Sequence, residues 1–499
     1  MNSFMNNLTK TTNFSVTENG ALSRRTTRSA VLDMFALGGA YRQRSDSDCI
    51  LLFKNALQEN PSLAMKCLFY LRDIRGGQGE RRFFRVCFNW LANSKDSEIA
   101  KRNLAYISEF GRYDDLFACI GTPLQDEMLE IVKKQIALDL TCKTPSLLAK
   151  WLPSENASAN ATKILGTKVR TYLGLTHREY RKMLSDLRSR INIVEKLMSQ
   201  NRWDEIEFDK LPSKAGLIYK NAFARRDILA KKYETFAKDK TTKVNAATLY
   251  PYEIINKVLE LTNDWRFNFR GTDTDRAMLE KYWENQIDVL QGKPCNMMCV
   301  VDTSGSMTGR YANAPINIAI GLGMYCAERA GGPFKDHYIS FSSRPQLIRV
   351  EGTDFVDKVI RIYRTNLCEN TNLEATFDLL YDVAKTARPE DIPEKIVVIS
   401  DMEIDHMSGG YRAGKTWTET NSQTEMERIR AKWQAAGLQC PKLVYWNVNA
   451  RNDRILDLGP DVSFVSGASP LIFKQVLSGK TGYDLMLEVL LADRYAVIQ

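Results

Sequence analysis

Asn296-Met-Met-Cys-Val-Val301 runs straight into Asp302-Thr-Ser304-Gly-Ser306, and the reading of the whole chain turns on that junction. The first six residues have the length and apolar character of a buried strand. A polar turn placed directly after such a strand lies at its carboxyl end, the rim where open α/β sheets bind their ligands.

Downstream, helices and strands alternate. Helices are expected over 314–330, 355–363, 373–386 and 424–436, and strands over 337–341, 345–350, 396–400, 443–448 and 462–465. That order predicts a doubly wound, Rossmann-like α/β sheet for residues 291–499. The apolar run Ile396-Val-Val-Ile-Ser400 ends in Asp401, so Asp302 and Asp401 are placed on one rim. A hard divalent cation there takes oxygen ligands. Ser304 and Ser306, two apart on a turn, offer hydroxyls to one point, and Asp302 and Asp401 supply charge directly or through water. Thr371, in Glu369-Asn-Thr-Asn372 before a helix, closes the site from a third loop. Magnesium is the expected ion. Glu403 and Asp405 either tune the charge beside Asp401 or are surface loop residues.

Upstream the texture is different. After an N-terminal extension, residues 1–22, the stretch 23–290 reads as helix after helix. Asp46-Ser-Asp48 offers N-caps, and Pro61 suits the first turn of the next helix. Phe83, Phe84, Cys87, Phe88 and Leu91 fall at helical spacing. Further helices are expected around 97–109, 124–140, 176–200 and 220–237. Pairs of helices joined by short turns suggest a HEAT-like solenoid, although no clean sequence period is present.

Charge divides along the same line. Residues 291–499 hold 23 basic and 25 acidic side chains, a net of −2, whereas residues 1–290 hold 46 and 35, a net of +11. A basic excess favours a polyanionic partner, or else marks a solvated helical surface. Two places concentrate it. Arg75-Gly-Gly-Gln-Gly79-Glu-Arg81-Arg82 is either a phosphate cradle with Arg75, Arg81 and Arg82 around it or a plain helix-to-helix turn. Lys168, Arg170, His177, Arg178, Arg181 and Lys182, interleaved with Tyr172 and Tyr180, suit a nucleic-acid backbone and stacked bases, with Trp203 as a further aromatic platform.

Several classes are set aside. No apolar run reaches the ~20 residues of a membrane span. The ten cysteines include no Cys-x-x-Cys pair and there are three histidines, which argues against structural zinc. The polar start lacks a signal-peptide layout, so a reducing, cytoplasmic setting is expected. No Ser-His-Asp order, nucleotide loop or general base stands out, so no enzyme is expected.

Asp302, Ser304, Ser306, Thr371 and Asp401, with their strands, resemble the metal-ion-dependent adhesion site of von Willebrand factor type A domains. That resemblance implies that all five ligate the ion, some through water, and that an acidic group of a protein partner fills the open position. A basic helical half followed by such a domain resembles the Ro autoantigen family, defined by the TROVE module. The nearer resemblance is to a sister family with the same two-part layout. It rests on Arg72-Asp73, Gly79-Glu80-Arg81, Gly111-Arg-Tyr-Asp-Asp115, Lys150-Trp-Leu-Pro-Ser154, Tyr180-Arg181-Lys182, Leu187-Arg188, Val398-Ile-Ser-Asp-Met-Glu403 and Val465-Ser-Gly467. The Ro resemblance implies helical repeats closed into a ring, noncoding RNA on the outer basic surface and single-stranded RNA ends in the hole. The expected protein is a monomeric RNA-binding scaffold. The alternative is a metal-dependent protein-interaction or assembly module with no RNA role.

Overall fold

The computed structural model describes every residue except 1–12, 17–21, 192, 263–265, 294, 310–313, 366–370, 405–424, 457–458, 460, 479 and 481. Helices of eight residues or more are numbered here. The chain is helical in its N-terminal part and carries a mixed sheet in its C-terminal part.

Residues 14–16 (β1) and 22–24 (β2) pair antiparallel, an element that the sequence reading did not anticipate. Arg24 and Ile455 exchange backbone hydrogen bonds at 2.6 and 2.8 Å, so this ribbon lies against the sheet domain. Helix α1 (Ala30–Leu37) follows. Ser45 then caps α2 (Asp46–Glu59) in a box with Asp48, and Asn60 caps α3 (Pro61–Arg72), with Pro61 in its first turn. Helix α4 (Arg81–Ala92) is amphipathic and buries Phe83, Phe84, Cys87, Phe88 and Leu91. Next come α5 (Gln125–Thr141), α6 (Asn160–Tyr172), α7 (His177–Arg190), α8 (Ser213–Ala224), α9 (Asp227–Lys238), α10 (Pro251–Glu260) and α11 (Asp273–Glu284). The runs expected over 176–200 and 220–237 are each broken. Ile191 and Arg226 adopt extended backbone, which ends α7 and separates α8 from α9.

The C-terminal sheet has the order β5-β4-β3-β6-β7-β8, with β3 Met297–Asp302, β4 His337–Phe341, β5 Leu347–Arg349, β6 Lys395–Ser400, β7 Lys442–Asn447 and β8 Val462–Ser466. All neighbours are parallel except β5, which runs antiparallel on β4. The chain leaves β3 toward β4 and later returns to its other side as β6. The switch point therefore falls between the carboxyl ends of β3 and β6. Helices α12 (Pro315–Arg329), α13 (Phe355–Thr365), α14 (Leu373–Ala384), α15 (Glu425–Ala435) and α16 (Gly482–Leu490) complete the domain.

Strand β3 is buried on both faces, and its residues divide with period two. Met298 and Val300 join the core that includes α1–α4, α14 and α15, while Met297, Cys299 and Val301 join the core of α8–α13. The sheet thus packs against both ends of the helical half. At one end, Gly39 N–H donates to Ser466 Oγ at 3.1 Å, and the C-terminal Arg494 and Tyr495 bind the fully buried Asp73. At the other, Trp283 stacks on Phe355 at 4.4 Å and Arg276 pairs with Asp354 at 2.6 Å. Helices α10 and α12 come close at Gly321, where a Cβ would lie 2.8 Å from the Tyr252 backbone nitrogen. The two ends of the helical half also meet directly. Tyr250 Oη donates to Gln78 O at 2.8 Å, and Arg42 reaches both Glu80 and Tyr252.

Candidate functional site

At the switch point the structure brings the sequence-selected oxygen donors together. Val301 is registered with Ile399, which sets Asp302 beside Ser400 and one step from Asp401. Asp302 is fully buried. One carboxylate oxygen accepts Ser304 N–H at 2.8 Å and the other accepts the Ser400 hydroxyl. The hydroxyls of Ser304 and Ser306 lie 3.0 Å apart. Asp401 accepts Glu403 N–H through Oδ1 at 3.2 Å, while its Oδ2 is buried with no hydrogen-bond partner. Thr371 Oγ1 donates to the Glu403 carbonyl at 3.0 Å, tying the third loop to the β6 turn.

The electrostatics fit a cation. Burial first, and the like charge of Asp302 second, push the Asp401 carboxyl up to about 6, against the Glu403 amide and the Ser306 hydroxyl. Two acids held together away from water with an oxygen unpartnered are costly without a counter-charge. Among the described residues no group of three or more His, Cys, Asp or Glu converges. The donor set is instead two carboxylates and three hydroxyls, an all-oxygen set suited to a hard divalent ion. Glu403 is 1% exposed and bonded to Asn452, so it belongs to the buried framework rather than to a loop surface. Glu369 and Asp405 lie outside the described residues.

The basic residues separate into two groups. Lys168, Arg178, Arg181 and Lys182 are exposed on α6 and α7, with no hydrogen-bond or ion-pair partner among the described residues. Arg170 and His177 instead bind Glu155, at 2.8 Å each. Arg75 donates to Glu109 O, and Arg82 pairs with Asp46. Arg81 is exposed but sits beside Arg85 and Arg112; burial and these like charges pull its guanidinium down. The glycine loop is no phosphate cradle as it stands. The amides of Gly77, Gln78, Gly79 and Glu80 donate to the carbonyls of Asp73, Tyr70, Asp73 and Leu71. The aromatic platforms also change standing. Tyr180 is fully buried and donates to Pro153 O, Tyr172 binds Asp126 O, and the Trp203 ring is covered by Arg226 at 3.6 Å.

Sequence reasoning missed a cleft of about 1200 Å³ between α2, α4 and α6. Half-buried Trp90 and Trp151 line it together with Arg85, Lys150, Lys168 and Arg188. Arg112 stacks on Trp151 at 3.8 Å. Its signal was Lys150-Trp151, an exposed-type cation beside an aromatic.

Comparison with known proteins assigns the family. The chain belongs to the family described as Domain of unknown function (DUF2828), which matches residues 17–137 and 148–295, more than half of it. Residues 296–489 match a second family, Domain of unknown function (DUF7788). An uncharacterized protein of Acanthamoeba polyphaga mimivirus is 29% identical, the alignment covering 94% of this chain and 85% of the viral protein. Among solved structures, the Deinococcus radiodurans RO (RSR) protein aligns over 91% of this chain and all of its own at 12% identity, with a TM-score of 0.35, too low to establish a common fold. No described helix is long and apolar enough to cross a membrane.

Proposed function

We propose that this protein is a non-catalytic, Ro-like RNA-binding scaffold. Its basic helical half takes a noncoding or single-stranded RNA, and its sheet domain acts as a von Willebrand factor type A module. The observation that carries the RNA reading is the set of exposed cations on α6 and α7 with no partner among the described residues, Lys163, Lys168, Arg178, Arg181 and Lys182, of which Lys168 also lines the tryptophan-bearing cleft. Cations without internal partners are the ones available to phosphates, and the half-exposed Trp90 indole in that cleft can stack a base. In the sheet domain, Asp302, Ser304, Ser306, Thr371 and Asp401 would hold Mg²⁺, which would supply a Lewis-acidic position for an acidic group of a protein partner. The unpartnered Asp401 Oδ2 supports that assignment.

Filter binding of a labelled single-stranded RNA across a salt series tests the proposal. Affinity is expected to fall steeply with salt, and Arg181→Ala/Lys182→Ala to flatten the slope by about 0.7 for each phosphate no longer neutralised. Trp90→Ala is expected to weaken binding with the slope unchanged. Affinity equal to that of a neutral control protein, or no dependence on salt, refutes it.

A second reading, a metal-dependent protein-interaction module with no RNA role, draws on the same Asp401 oxygen. Capture of a protein partner that is lost in EDTA and in Asp302→Ala, together with absent RNA binding, would favour it.

A further inference from the structure

A cavity of about 360 Å³ lies at the end of the sheet away from the oxygen-rich rim. Met298, near the start of β3, forms part of its wall, whereas Asp302 closes that strand at the other end. Four residue steps along the strand separate them, roughly 13 Å. Ile339 of β4, Leu347 of β5, Leu380 and Ala384 of α14, and Trp433 of α15 enclose most of the remainder.

The sequence makes this hollow. The stripe of α14 and the turn after it carries Leu379, Leu380, Val383, Ala384 and Ala387, apolar at helical spacing but with two alanines where the sheet side chains leave room. Asp391 is the one ionisable side chain in the lining. The rim is apolar as well: Leu347, Leu379 and Val383 are 59%, 38% and 61% exposed. An apolar hollow of this volume inside an exposed apolar rim is the usual form of a small-molecule site and an unusual form for idle surface. Trp433 supplies an independent observation. It is 1% exposed, packed edge-on to Tyr381 at 5.8 Å, and its indole Nε1–H is buried with no hydrogen-bond partner. A buried donor left unmade is costly, and a ligand acceptor that meets it recovers that cost.

We propose that this cavity binds a small, largely apolar ligand carrying one hydrogen-bond acceptor. The carbon skeleton sits between β4 and α14, and the acceptor oxygen takes the Trp433 indole hydrogen. The size suits a fused aromatic ketone or a short acyl chain, and the carbon-lined wall disfavours a ligand with several charges. The site is separate from the metal rim and from the basic face, so it stands or falls independently of both.

The test titrates the full-length protein with 2-acetylnaphthalene and with naphthalene, which has the same rings and no acceptor, by saturation-transfer NMR of the ligand. Wild type is expected to bind both saturably and the ketone about fivefold more tightly, one net hydrogen bond. Trp433→Phe is expected to erase that preference while retaining naphthalene. Ala387→Trp, which fills the hollow, and Val383→Glu, which charges the exposed rim without touching the core, are expected to abolish binding of both. Absence of saturable binding to wild type overturns the proposal, as it would if a protein rather than a small molecule covered this face. Binding that survives Ala387→Trp and Val383→Glu unchanged, or a ketone preference that persists in Trp433→Phe, overturns it equally.

Discussion

Replacing Asp73 by alanine tests how the two ends of this chain are joined. Asp73 is fully buried at the end of α3, 421 residues before Arg494. Its carboxylate accepts from Arg494 Nη2 at 2.7 Å, from Tyr495 Oη at 3.1 Å and from the Arg75 amide at 2.9 Å. Alanine leaves the guanidinium without its counter-ion and a buried phenol without an acceptor. Breaking a buried pair costs about 3–5 kcal/mol, and an unsatisfied buried hydroxyl about 1–3 kcal/mol. The Arg494 side chain is 35% exposed and recovers part of its loss to water, so about 4 kcal/mol is expected in all. For 499 residues the entropy of unfolding is about 1 kcal/mol per kelvin, so the melting temperature falls by about 4 °C. Differential scanning calorimetry measures this directly. Adding Arg494→Ala to Asp73→Ala is expected to lower it little further, because the stranded charge leaves with its partner. A fall under about 1 °C, or full additivity of the two substitutions, refutes the reasoning.

Three other outcomes follow from the same structure. Mg²⁺ at a hundredfold excess over its dissociation constant is expected to stabilise the protein by about 2.7 kcal/mol, read as a rise of some 3 °C that EDTA, Asp302→Ala or Ser304→Ala removes. Gly321→Ala is expected to cost about 1–3 kcal/mol in urea unfolding, because its Cβ would meet backbone 2.8 Å away on α10 and neither helix can yield without the other. Glu155 is driven up by burial, but its bonds to Arg170, His177 and Thr167 prevail and hold it below the usual carboxylate range. A depressed acid contributes stability that is present above its unfolded pKa and lost as pH falls through the folded one. Glu155→Gln should therefore lower the melting temperature at pH 7 and flatten the acid limb below about pH 4.5, where variant and wild type converge.

The sheet and its rim were legible because their signals are local. An apolar run followed at once by Asp302-Thr-Ser304-Gly-Ser306 needs no distant residue to be interpreted, and the same holds for Ile396–Ser400 before Asp401. Thr371 needed only the expectation of a third loop. The glycine loop misled for the opposite reason. Its backbone donors look free in sequence, and only the fold shows that Tyr70, Leu71 and Asp73 take them. The break at Arg226 escaped because helix-forming residues continue across it, while the one at Ile191 carried a signal that the sequence reading passed over, the low helix propensity of Ile191, Asn192, Ile193 and Val194. The closure between Tyr250 and Gln78 spans 172 residues, beyond the reach of any periodicity.

Most charged residues in the motifs that carry the family resemblance are paired inside the fold, whereas the cations proposed to bind RNA are exposed, and the difference has a physical cause. Arg72 is 2% exposed and binds buried Asp115 at 2.6 Å, Asp73 holds the C-terminus, and Glu80 holds Arg42. Arg188 donates to the carbonyls of Ala149 and Leu152 and to Ser154. Every one of these charges is consumed in joining one helix to another or to the C-terminal segment. Replacing any of them strands a buried partner, so such positions specify the architecture and offer nothing to a ligand. Lys163, Lys168 and Arg178 lie outside those motifs, and of the five exposed, unpartnered cations on α6 and α7 only Arg181 and Lys182 lie within one. A relative that kept the buried pairs while reversing the exposed charges on α6 and α7 would share this fold and lose the proposed affinity for RNA.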